Sequence, residues 1–296
     1  MTSRVTDNRP NGPPGIRNPC LNCGAALSGR FCAHCGQPAD VHLPSTSELI
    51  HEALEGMTHS DSRLWRTLKL LWFKPGKLTQ EFVAGRRATY LPPIRLYLVL
   101  SVIFFLVASL SHSHGSVAEL KDGHIEVVTS EGSCNDIQFE LFGSRVWQQR
   151  LRHGCEAAVR DSGTGLTHVA AATMPKAMFV FLPLLAFLHK LMYWRPRYRY
   201  AEHLLFFLHV HAFFFSLMTL VVLCAIAGST WPGSKVWSFA PLLLWGLPLY
   251  TFAAMRRVFG GTWSATLFKA SALFAVYLVV LSITLASVFV YAVLQL

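Results

Sequence analysis

The stretch ASALFAVYLVVLSITLASVFVYAVL, residues 270–294, decides the fold. It holds no charged residue, no proline and no glycine. About 20 apolar residues in a helix cross about 30 Å of hydrocarbon, and this stretch is longer than that. A second block, LLFFLHVHAFFFSLMTLVVLCAIA over residues 204–227, is interrupted only by His209 and His211. Three weaker blocks lie further out, at Ile94–Leu110, Val169–Trp194 and Val236–Met255. The first of these is short, and Arg95 can snorkel from it to the interface. The next carries Lys176, His189 and Lys190, with Pro175 and Pro183 expected to kink it. The last contains Pro241, Gly246 and Pro248. Buried helices of a soluble protein are the alternative, but three of the blocks approach or exceed membrane length. The expected fold is an all-α membrane protein: a five-helix transmembrane bundle over residues 94–296, with spans near 94–110, 169–194, 204–227, 236–255 and 270–294.

Composition agrees. Of 296 residues, 52 % are hydrophobic and 14 % charged, against about 25 % charged in an ordinary soluble domain. Disorder, a collagen-like chain and a small disulfide scaffold are excluded on that ground. The net charge of +10 invites a nucleic-acid role, but the distribution of charge argues otherwise. Twelve Lys/Arg precede the first span or open it, four fall between spans two and three, and three fall between spans four and five. The alternate connections carry six and one. The positive-inside rule places the N-terminus in the cytoplasm and the C-terminus outside. Residues 111–168 then form an external loop, mildly acidic from Glu119 to Asp161. The basic excess is read as topology and contact with anionic membrane lipids, and nucleic acid is not expected as a partner. Residues 1–19 are polar and rich in Pro and Gly, with no apolar signal core, and are expected to be a disordered lead.

Residues 20–37 read CLNCGAALSGRFCAHCGQ. Two Cys-x2-Cys turns separated by eight residues suit a tetrahedral zinc held by four thiolates. Cys20, Cys23, Cys32 and Cys35 are therefore the expected ligands of a structural zinc ribbon. Gly24 and Gly36 follow the two pairs and let the backbone turn sharply. Two disulfides are the competing arrangement, disfavoured in a reducing cytoplasm. Four thiolates leave no open position, so the zinc is not expected to be catalytic. Only Arg30 within the motif is basic, which fits a protein contact, or equally a folding cap for the cytoplasmic segment, better than nucleic acid. Cys134 and Cys155 fall in the external loop, where a disulfide between them is expected, two unpaired thiols being the alternative.

Residues 45–93 show helical periodicity without membrane length. Ser45 or Ser47 opens a first helix through Met57. SRLWRTLKLLWF, residues 62–73, forms a second, with tryptophans beside basic residues. A third runs from Leu78 to Ala84, and Tyr90-Leu91-Pro92-Pro93 forces an extended entry into the first span. These cytoplasmic amphipathic helices are expected to pack under the bundle.

FKPGKLTQEFVAGRRATYLPPIRLYL (residues 73–98), following the four-cysteine ribbon, and EHLLFFLHVHAFFF (residues 202–215) resemble a bacterial family of uncharacterised membrane proteins with an N-terminal zinc ribbon. The resemblance implies a bacterial inner-membrane location and carries no established activity.

Glu202, His203, His209 and His211, with His189, form the one intramembrane constellation that could support chemistry. Glu202 and His209 share a helix face and are expected to point towards His189. His209 and His211 point to nearly opposite faces, so a metal would need ligands from other spans, His189 first among them. The structural reading, which is preferred, pairs Glu202 with Arg199 or Arg195 at the interface and has the histidines hydrogen-bond between helices. No i, i+4 histidine pair exists, so a zincin-like motif is absent, as are a nucleotide loop and a nucleophile elbow. The expected function is a non-enzymatic inner-membrane scaffold or regulator whose ribbon meets a cytoplasmic protein. The alternative is a transporter or membrane enzyme using Glu202, His209 and the neighbouring histidines.

Overall fold

The computed structural model describes residues 19–40, 62–113, 145–160, 164–193, 198–230 and 240–295. Among them there is no β-strand beyond isolated bridges, and eight helices occur. These are α1 (Ser62–Phe73), α2 (Lys77–Val83), α3 (Pro93–Ser113), α4 (Arg145–Arg160), α5 (Thr164–Met192), α6 (Tyr200–Thr230), α7 (Ala240–Phe259) and α8 (Trp263–Gln295). The lead before Pro19, the helix expected after Ser45, and Cys134 lie outside the described residues.

Three helices are long and apolar enough to cross a membrane, at Pro93–Leu110 in α3, Tyr200–Gly228 in α6 and Trp263–Gln295 in α8. Only 17 % of the α8 window is buried. Phe268, Phe274, Val279, Ile283 and Phe289 all stand exposed along it. An apolar helix bare on most of its surface belongs in lipid, and these spans point to a membrane protein. The five-span count is not reached by length and composition. α5 and α7 lie where the second and fourth spans were expected, but α5 carries Lys176 and Lys190, while α7 contains Pro248 and ends on Arg256-Arg257.

The chain divides into two compact units. The larger holds the ribbon, α1 to α3, and residues 189–271. Its centre is α6, buried on every side from His203 to Phe213. α3 lies along α6, and the short helix α2 packs against both α6 and α7. α2 is a mostly polar sequence, KLTQEFV, yet Leu78, Thr79, Glu81 and Phe82 are buried. α1 leans on the same helix: the Trp72 ring meets Phe213 edge-on at 5.2 Å, and Phe213 stacks on Tyr250 at 3.8 Å. The smaller unit holds α4, α5 up to Leu188 and α8 from Ala272. There Phe181 and Tyr277 pack edge-on at 5.3 Å, and Gly154 of α4 sits against the backbone of Val293.

The turn Lys74-Pro75-Gly76 sends α2 against α7. Gly76 has φ +74°, and a Cβ there would lie 2.8 Å from the Ala254 carbonyl oxygen. Arg257 donates to the Pro75 carbonyl at 2.5 Å, and the Gln80 amide donates to the Arg257 carbonyl at 2.7 Å. Gly76→Ala combines left-handed strain with a backbone clash. It should lower stability by roughly 2–4 kcal/mol, read as a fall in melting temperature of the detergent-purified protein.

Candidate metal centre and its seat

The ribbon consists of two knuckles with equivalent hydrogen bonds. In the first, the Gly24 N–H donates to Cys20 O at 2.8 Å and the Cys20 N–H to Ala25 O at 2.8 Å. In the second, the Gly36 N–H donates to Cys32 O at 2.9 Å and the Cys32 N–H to Gln37 O at 2.8 Å. Gly24 and Gly36 both have positive φ, 79° and 72°, as so tight a turn requires. Bridges Pro19↔Ala26 and Phe31↔Pro38 close the two knuckles alike.

The four Sγ atoms all lie within 4.8 Å of one another, with Cys20–Cys35 at 3.6 Å and Cys23–Cys32 at 3.5 Å. Four thiolates about 2.3 Å from one tetrahedral ion would stand about 3.8 Å apart, so the quartet fits a metal ion. Cys20 and Cys32 are buried. The backbone N–H groups of Cys35 and then His34 pull the Cys32 thiol down to about 6, while its neighbour Cys23 is pushed up to about 12. Without a metal the first proton therefore leaves from Cys32 and Cys23 holds its own. Among the described residues this is the one group of three or more His, Cys, Asp or Glu side chains placed to share an ion.

Gln37, which directly follows the second knuckle, seats the ribbon on the membrane helices. Its side chain is 1 % exposed. Its Nε2 donates to Gly85 O at 2.8 Å, and its Oε1 accepts from the N–H groups of Arg87 at 3.0 Å and Ala88 at 3.2 Å. The Thr89 hydroxyl adds a bond to Asn22 Oδ1 at 3.0 Å. The receiving loop is itself built by α2. Gly85, at φ +82°, ends the helix with its N–H on Phe82 O, and the Arg86 N–H reaches Glu81 O. That paired closure is a Schellman motif. Further on, the Thr67 hydroxyl of α1 accepts the Leu91 N–H at 3.0 Å, just before α3 begins.

Of the histidines, His189 and His203 meet: their Nδ1 atoms are 2.9 Å apart, and both side chains are fully buried. His209 faces α2 instead, its Nδ1 2.9 Å from the Thr79 hydroxyl and its ring against Phe82. His211 donates from Nδ1 to Phe207 O at 3.0 Å, one turn back on its own helix. Glu202 is half-buried in the first turn of α6, its N–H on Arg199 O. Cys155 lies on α4. Gln37, Thr67 and Thr79 were not signalled in the sequence. The one hint was that Gln37 occupies the position equivalent to Ala25.

A family described as a protein of unknown function (DUF3667) matches residues 61–105. That stretch covers α1, α2, the loop that receives Gln37 and much of α3. No curated protein and no solved structure matches the chain. The chain is thus similar to that family over the seat of the ribbon and combines the seat with a four-cysteine cluster that could hold a metal and with apolar helices.

Glu81 braces the same loop. It pairs with Lys77 at 2.9 Å and accepts from the Arg86 guanidinium. The Arg86 hydrogen bond, followed by that of Lys77, outweighs burial and holds the carboxyl below its ordinary range. A carboxylate lowered by folding stabilises the fold above its unfolded value of about 4.3, and that contribution fades as pH falls through the folded value. Melting curves should therefore show stability lost below about pH 4, and Glu81→Gln should flatten that acid limb.

Proposed function

We propose that this protein is a non-enzymatic scaffold or regulator of the bacterial inner membrane, with a zinc ribbon that presents a protein-contact surface in the cytoplasm. The observation carrying this is the seated ribbon. Gln37 and Asn22 turn one side towards the membrane helices, while Phe31 remains 62 % exposed and Leu21 45 % exposed. A fixed module with bare apolar side chains beside its metal suits docking of another protein. Zinc is the ion proposed, because four thiolates within tetrahedral reach suit it and a cytoplasm keeps them reduced.

The test places a photo-crosslinking amino acid at position 31 of the full chain in cells. A discrete crosslinked partner is expected, with about one zinc per chain in the purified protein. Cys20→Ala should remove both the zinc and the crosslink, whereas Gln37→Ala should keep the zinc and weaken the crosslink. A crosslink that survives Cys20→Ala, or none at all, would overturn the reading.

The proposed topology is five spans, with α5 and α7 as the second and fourth, the N-terminus inside, the C-terminus outside, and surface contact with anionic lipids. Basic residues concentrated in alternate connections support it. Reporter fusions should be cytoplasmic after residues 90, 198 and 262, and external after 140 and 233. In the external loop a Cys134–Cys155 bridge should resist a membrane-impermeant maleimide until a reductant is added.

A further inference from the structure

His189 stands in the last turn of α5 and His203 in the first turn of α6. Each side chain is 0 % exposed, and their Nδ1 atoms are 2.9 Å apart. Two explanations fit such a distance, a shared metal or a shared proton. A tetrahedral metal about 2.0–2.1 Å from each nitrogen would hold them about 3.3–3.4 Å apart, and a linear one about 4 Å. An N–H···N hydrogen bond matches the observed spacing. No third ligand joins the two rings among the described residues.

A shared proton fixes the state of both rings. One ring donates from Nδ1, so its neutral form carries a bare Nε2 lone pair. The other accepts at Nδ1 and carries its proton on Nε2. Both Nε2 atoms are buried without a hydrogen-bond partner among the described residues. The pair therefore presents one unsatisfied acceptor and one unsatisfied donor; His209 also has a bare Nε2, but its Nδ1 meets a hydroxyl rather than a second titratable ring.

The surroundings hold the rings in place. His189 stacks on Phe206 at 5.7 Å and His203 on Phe259 at 4.9 Å. Tyr193 lies against both imidazoles, and Tyr198 lies against His203. The charged groups nearby are Lys190, which donates to Tyr198 O, Lys269, whose ammonium sits 3.7 Å over the Tyr193 ring, and Glu202 beside His203 in sequence. α7 contributes Phe259.

We propose that His189 and His203 form a proton-transfer pair. Water reaching the rings delivers a proton to the bare Nε2 of the donor ring and takes up the proton released at the far end. That ring's Nδ1 proton crosses the 2.9 Å bond to the other Nδ1, and the second ring releases its Nε2 proton. One proton enters and one leaves, no other bond changes, and the two rings end with their tautomers exchanged. Each passage thus inverts the pair, leaving it set for transfer in the opposite direction.

The test uses the full-length protein in lipid nanodiscs with ¹⁵N-labelled histidine. Scalar coupling between two imidazole Nδ1 atoms should be visible in the unaltered chain, and each of those rings should sample both neutral tautomers. After transfer to D₂O the bridging proton should exchange on the order of tenfold faster than the backbone amides of the surrounding helix, which open only with the fold. His189→Gln and His203→Gln should each abolish the coupling, while His209→Gln should leave it intact. Rings locked in one tautomer each, a bridging proton as slow as the helix amides, or no coupling between histidines would each overturn the proposal, and none of these readings depends on the variants folding.

Discussion

The primary amide of Gln37 joins the four-cysteine ribbon to the loop that leads into α3. A buried amide without its bonds costs several kcal/mol, so the side chain is tolerated inside only because three backbone groups meet it. Those groups exist in the right place because Gly85 adopts a positive φ and closes α2, turning its carbonyl outward. A ribbon of some twenty residues has too little apolar surface to hold its own shape, and a metal on its four thiolates would supply what its core lacks. A metal on the four thiolates would fix the knuckles, the second knuckle aims Gln37, and Gln37 holds the loop through which the chain enters α3. Thr67 ties α1 into the same loop at Leu91. Losing any one of these leaves polar groups of another uncovered.

The same demand for satisfied polar groups explains the placement of α2. A short polar helix among apolar ones is costly unless each buried group finds a mate. Thr79 meets His209, and Glu81 meets Lys77 and Arg86. A histidine in the most buried stretch of α6 and a threonine in an otherwise soluble-looking segment are thus two halves of one contact. At the other end of the buried stretch, His203 is matched from α5 by His189.

These pairings mark the limit of what the sequence makes legible. Unbroken apolar length announces α3, α6 and α8, and the doubled Cys-x2-Cys spacing announces the metal site, because both are local signals carried by side-chain type. α1 is legible for the same reason, as a periodic alternation of apolar and basic residues. The seat is not. The partners of Gln37 are main-chain atoms about fifty residues away, which carry no signature in residue type, and Thr79 is 130 residues from His209. Helix phase also misleads. His209 shares a face with Glu202 and looks like the natural mate of His189, but His203 lies about 9 Å nearer the start of α6. The short connection from α5 brings the ends of the two helices together first, and His203 is the histidine found there.

The two knuckles make the same backbone bonds around their cysteines, so a tetrahedral ion has no means of telling one from the other. What differs lies between and after the cysteines: Leu21, Asn22 and Ala25 in the first stand where Ala33, His34 and Gln37 stand in the second. The residues that could hold a metal and those that dock the ribbon are therefore separate, the first being the repeated cysteines and the second, Asn22 and Gln37, drawn from positions where the knuckles differ. A ribbon built this way could change the surface on which it rests, or lose it, without any change in the way it holds its ion.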